Sequence, residues 1–105
     1  MIHFRRTVQI APGRQADAVA RAHEWAKTYK DSTGIDLRVS VVTTGTLGRL
    51  CVSTDFESMG AREAADAKWL ASPATHALGA KQGQGIRNGD HPFIEPSHDE
   101  IWRYS

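Results

Sequence analysis

The chain has 105 residues, a formal net charge of +1 and one cysteine, Cys51. That is the size of a single domain (residues 1–105), with no charge footprint for nucleic acid or an anionic membrane and no intrachain disulfide, so a reducing cytoplasm is the expected compartment. Apolar residues make up 40%, but 14 of those 42 are alanine; no run spans a bilayer or reads as a signal peptide, and the thin core brings a partner subunit into consideration.

Residues 2–10 alternate. Ile2, Phe4, Val8 and Ile10 share one face, His3, Arg5, Thr7 and Gln9 the other, and Arg6 is the one break in the apolar set. Period two predicts a half-buried strand, ended by Ala11-Pro12-Gly13. Over 14–33 the period becomes helical: Ala18, Val19, Ala22, Trp25, Ala26 and Tyr29 form one stripe, and Gly34 stands where a left-handed C-terminal cap belongs. Residues 35–57 predict two strands around a turn at Gly45-Thr46-Leu47-Gly48, an antiparallel hairpin. A helix in two pieces follows over 59–82. Ser72-Pro73 interrupts it, serine serving as N-cap and proline fitting the first turn of a second piece from Pro73. Three glycines and two prolines predict a loop over 83–98, and a short strand over 99–104 closes the chain.

The order β-α-β-β-α-β predicts an α+β, ferredoxin-like fold: a four-stranded antiparallel sheet with both helices on one face and the first and third strands central. Phe4, Val8, Leu37, Val39, Leu50, Val52 and Phe56 should meet the alanine-rich helices. The other face presents His3, Arg5, Thr7, Gln9, Arg38, Ser40, Val42, Arg49, Cys51, Ser53 and Asp55, joined by Trp102 and Tyr104 if the last strand keeps register. Two readings of that face compete. It is the wet side of an open monomer, or two such sheets pack face to face, most simply in an isologous dimer, and enclose a mixed lining suited to a ligand.

A resemblance favours the second reading. The stretch Ala67-Lys68-Trp69-Leu70-Ala71-Ser72-Pro73-Ala74-Thr75-His76-Ala77-Leu78, helix, Ser-Pro break, helix, is similar to the corresponding region of NIPSNAP-like and antibiotic-biosynthesis-monooxygenase-like proteins of the dimeric α/β-barrel superfamily. The ending His98-Asp99-Glu100-Ile101-Trp102-Arg103 resembles the last strand of NIPSNAP-like members. The resemblance implies a homodimer with a barrel-like interior between its sheets. It implies no single chemistry, since the superfamily holds monooxygenases, isomerases, cyclases, haem-degrading enzymes and proteins of unknown activity.

Haem degradation can be checked by residue. Trp69-Leu70-x-Ser72 resembles the tryptophan segment of the small haem-degrading monooxygenases. That pattern also needs a first-strand asparagine, whose place falls near Arg6, and an axial histidine ten residues past the tryptophan, where Gly79 stands. Both are missing. His76 shares the helix face of Trp69 and is open to an axial role from a shifted position, but reads more simply as a partly exposed helix histidine, and Trp69 as a packing residue. No cofactor is expected, and haem is disfavoured.

A cofactor-independent oxygenase or isomerase needs a base. His3, on the inward face of the first strand, is the candidate acid–base group, and Asp55, a weaker candidate, stands where it can orient a histidine. Arg5, Arg38 and Arg49 would hold a carboxylate or an enolate, with Trp102 beside them. The blander alternative pairs these charges across a dimer interface. The five histidines show no metal-binding spacing; His91 and His98, near Asp90 and Asp99, are a poor metal set, so no metal is expected. Cys51 reads as a structural thiol. An RNA-binding sheet would carry aromatics on its central strands, and the polar face of the first and third strands has none. The expectation is therefore a cytoplasmic homodimer holding a small anionic or oxygenated organic molecule between its sheets. Its alternatives are a cofactor-independent or haem-linked monooxygenase or isomerase, and a non-catalytic dimeric interaction module.

Overall fold

The computed structural model describes residues 1–44, 47–89 and 92–104. In chain order the elements are β1 (Ile2–Ile10), α1 (Gln15–Thr33), β2 (Arg38–Thr44), β3 (Leu47–Phe56), α2 (Met59–Ala71), α3 (Pro73–Arg87) and β4 (Phe93–Arg103). All strand pairs are antiparallel and the sheet order is β2-β3-β1-β4. The first and third strands are central, as right-handed crossovers require. The fold is α+β and ferredoxin-like.

The local signals explain the boundaries. Gly34 ends α1 at φ 76°, its N–H donating to the Lys30 carbonyl. Ser58 caps α2, its hydroxyl accepting from the Ala61 N–H at 3.1 Å. Pro73 opens α3, where a missing N–H costs nothing. His76 ties the break together: its Nε2 lies 2.8 Å from the Leu70 carbonyl oxygen, and a carbonyl only accepts, so Nε2–H is the donor. Of the expected turn, Gly45 and Thr46 lie outside the described residues, while Leu47 and Gly48 belong to β3.

The loop expected over 83–98 is replaced by two extended elements. α3 runs through Gly83 and Gly85 to Arg87, ending before Gly89 at φ 83°. β4 begins at Phe93, six residues before the expected strand. Each helix glycine costs up to about 1 kcal/mol relative to alanine, and packing against α1 and α2 overrides that preference. Pro96 falls where the β1–β4 register shifts, between the pairs Thr7–His98 and Gln9–Ile94. An irregular edge strand is where a proline is tolerated.

The helices cover one face of the sheet, and the core beneath them has two parts. Ile2, Phe4, Tyr29, Phe56 and Ala65 form one cluster, with Trp69 packed against it. Ile10, Ala18, Ala22, Leu50 and Val52 form the other, with Val8 and Trp25 against it. Arg6 lies between them, on the helix side of β1 where the apolar pattern breaks.

Candidate functional site

The gap between the two core clusters is a cleft. Ala22 on α1 and Gly79 on α3 leave space that larger side chains would fill, and the cleft measures about 370 Å³, within the range of small-molecule sites. Arg6, Trp25, Trp69, Thr75 and Gly79 are among its walls. A neighbouring hollow of about 260 Å³, nearer the first cluster, shares Arg6, Trp25 and Trp69.

Arg6 is a charge on the helix-facing side of a central strand, so it must be paired. It makes a two-pronged bond to Asp99 in β4, Nε to Oδ1 at 2.7 Å and Nη2 to Oδ2 at 2.8 Å. Its guanidinium lies 5.3 Å from the Trp25 ring centroid, a cation–π distance. The Arg6 hydrogen bonds hold the Asp99 carboxyl below the usual carboxylate range, against partial burial. Trp69 packs with Tyr29 at 5.2 Å and Trp25 at 6.4 Å between ring centroids, so the wall of the cleft is aromatic. Burial pushes the Tyr29 phenol up. Thr75 Oγ1 is buried and lacks a hydrogen-bond partner. A methyl carbon built at Gly79 would meet nothing within 4 Å, so this helix position borders open space.

On the other sheet face, five of the six residues singled out from sequence come together in two adjacent rows. Asp55, His3 and Trp102 make the first row, Arg38, Ser53, Arg5 and Glu100 the second. His3 Nδ1 lies 2.7 Å from Asp55 Oδ1. The Tyr104 hydroxyl donates to the same oxygen at 3.0 Å, and Arg38 Nη2 to Asp55 Oδ2 at 3.4 Å. The hydrogen bonds from His3 and Tyr104 hold the Asp55 carboxyl below its ordinary value, and that same bond raises the Tyr104 phenol. Among the described residues neither Arg5 nor Arg49 makes an ion pair. Arg49 pairs with Gln9 near the far end of β1; at strand rise it is about 20 Å from Asp55. Trp102 keeps register with His3, and Trp102 and Tyr104 are more than half exposed.

The cleft thus lies on the helix side of the sheet, and the residues that sequence reasoning singled out lie on the other face. Arg6 and Asp99 were the missed pair. A charge in the apolar set of a strand was the available signal, and the register that puts Trp102 opposite His3 also puts Asp99 opposite Arg6. Arg6, Trp69 and Gly79, the three positions counted out for a haem-degrading pattern, do converge on the cleft. Their chemistry does not fit haem. The described walls of the larger cleft include no histidine, cysteine, tyrosine or methionine, and His76 is committed to Leu70. Of the residues weighed for metal, Asp90 and His91 lie outside the described ones, Asp99 is held by Arg6, and His98 lies 3.8 Å from Glu100.

The fold and cleft define a small ferredoxin-like protein with a pocket between sheet and helices. No protein-family model matches the chain, and no curated protein matches it in sequence. Solved structures do match in fold. An uncharacterised NIPSNAP domain protein from Burkholderia xenovorans aligns at 17% identity with a TM-score of 0.75, over 100% of this chain and 95% of that one. A NIPSNAP family protein of unknown function from Agrobacterium tumefaciens aligns at 18% identity and 0.71, over 100% and 91%. An antibiotic-biosynthesis-monooxygenase-like protein from Deinococcus radiodurans aligns at 15% and 0.62, over 100% and 93%. No helix among the described residues is long and apolar enough to cross a membrane.

Proposed function

We propose that the protein binds a small anionic or oxygenated organic molecule with a planar apolar body, in the cleft between sheet and helices. The observation that carries this reading is the buried, unpartnered hydroxyl of Thr75 on a cleft that also presents Arg6 and two tryptophans. A buried polar group without a partner costs about 1–3 kcal/mol, and a ligand oxygen would relieve it. The aromatic wall suits a ring, and the Thr75 hydroxyl suits an oxygen substituent on it. The described residues lining the larger cleft include no histidine, carboxylate or cysteine, which supports binding over acid–base turnover there.

The same reading includes a homodimer formed through the open sheet face. Its support is the pair Trp102 and Tyr104, 55% and 56% exposed, on a face that carries charges of both signs. The unpaired Cys51 supports a cytoplasmic location.

Hydroxynaphthoate is a suitable probe, a fused ring bearing a carboxylate. It should quench tryptophan fluorescence in the full chain and in Trp102→Phe alike. Gly79→Leu, which fills the cleft, should weaken it at least tenfold. Binding untouched by Gly79→Leu and lost in Trp102→Phe would overturn the cleft reading. Light scattering that finds a monomer at micromolar concentration would overturn the dimer.

A further inference from the structure

We infer that the open face carries a second site, separate from the cleft and resting on the dimer reading in that it lies in the interior left between the two facing sheets, that takes a small hydroxy acid on His3, Arg5 and Arg38. Its centre is a histidine fixed by a carboxylate. A carboxylate only accepts, so with Nδ1 at 2.7 Å from Asp55 Oδ1 the proton belongs on Nδ1. In the neutral imidazole the lone pair is then on Nε2, which makes no hydrogen bond among the described residues. The imidazole is held still: its side chain is only 16% exposed, and the Tyr104 ring stands edge-on to it with centroids 6.4 Å apart. Tyr104 also donates to Asp55, so that carboxylate has two donors on one oxygen and Arg38 beside the other. A carboxylate so occupied positions His3 and is poorly placed to take a proton itself.

The row beside His3 supplies the anion-binding half. Arg5 and Arg38 both stand opposite Ser53, one on each side, with the Ser53 position between them. Trp102, next to His3 across the sheet, offers an exposed indole. A hydroxyl donating to Nε2 and a neighbouring carboxylate shared between two guanidiniums is the chemistry of a hydroxy acid, and an aryl substituent would lie against Trp102.

Mandelate has these three parts; phenylacetate lacks the hydroxyl. In nitrogen-resolved NMR of the full chain, His3 should appear as the Nδ1–H tautomer, and Asp55→Asn should release that preference. Mandelate at millimolar concentration should shift the His3 ring nitrogens and the Trp102 indole while Trp25 and Trp69 stay silent. Phenylacetate should bind about tenfold more weakly, the value of one hydrogen bond. His3→Gln should weaken mandelate by at least as much. Arg5→Gln, at an exposed side chain with no ion pair to lose, should weaken it without touching the fold. Equal binding of the two acids, shifts confined to Trp25 and Trp69, or no binding at all would each overturn the site. None of these outcomes depends on whether hydroxynaphthoate enters the cleft.

Discussion

On the helix side of the sheet, the charge that breaks the apolar pattern of β1 is paired. Arg6 meets Asp99 in two hydrogen bonds and leans on Trp25, with both side chains still partly open to solvent. On the open side, three arginines, two histidines and two acids stand in rows, and His3, Tyr104 and Arg38 gather on Asp55. The first face encloses space because its helices are alanine-rich. The second exposes chemistry because the chain has too few large apolar residues to cover it. The cleft and the His3–Asp55 cluster thus stand on opposite faces of one sheet.

The largest expected difference between the faces is within one strand. Leu50 is 2% exposed on the helix side, and Cys51, the next residue, is half-buried on the open side. Leu50→Ala should cost about 2–5 kcal/mol, by lost burial plus the cavity left behind. Cys51→Ala should cost less than about 1 kcal/mol. Urea unfolding of both variants checks this, and similar losses would mean that the open face is as buried as the core in solution.

Thr75→Val sets stability against binding. Replacing a buried hydroxyl that lacks a partner by a methyl of the same shape should stabilise the unliganded protein by about 1 kcal/mol. The same change should weaken hydroxynaphthoate severalfold, because the ligand loses its hydrogen bond. Thermal unfolding with and without the probe reads both signs. A destabilised variant would mean that the hydroxyl already has a partner. Gly79→Ala extends the test: a helix interior gains up to about 1 kcal/mol on losing a glycine, and a single methyl leaves most of the cleft open.

How much of this was legible in the sequence depends on the face. Period-two alternation in residues 2–10 and 49–56, and the helical stripe from Ala18 to Tyr29, were enough to give the elements, the sheet order and the parity of His3, Asp55 and Trp102. Parity is set by covalent geometry, so it survives into the fold. The cleft was hidden for a different reason: space is a property of several elements at once. No local pattern shows that Gly79, Trp69 and Arg6 border the same void. β4 was hidden because Pro96 and the shifted register erase its alternation, and with it went the early part of the strand. Once Trp102 was placed opposite His3, however, Asp99 was committed to the helix side, and the Arg6 partner could have been read from that.

The smallest effect is the acid limb of stability, and it separates the two carboxylates. Asp99 and Asp55 are both held below the ordinary carboxylate range in the folded chain. A lowered folded value means that each contributes stability above its unfolded pKa, near 4, and that the contribution is lost as pH falls through the folded value. Asp99→Asn and Asp55→Asn should each therefore flatten the fall of Tm below about pH 4, leaving Tm at neutral pH lower than in the parent. Salt should tell the two apart. The two-pronged Arg6–Asp99 pair is partly enclosed and relies on short, directed hydrogen bonds. The 3.4 Å contact from Arg38, itself 67% exposed, faces solvent, so added salt should weaken that part of the Asp55 contribution first. Measured against pH at low and high ionic strength, Asp99→Asn should differ from the parent by nearly the same amount in both, and Asp55→Asn by less at high salt. Equal salt dependence would place both carboxylates in the same kind of surroundings, and the contrast between an enclosed face and an open one would fail at its charges.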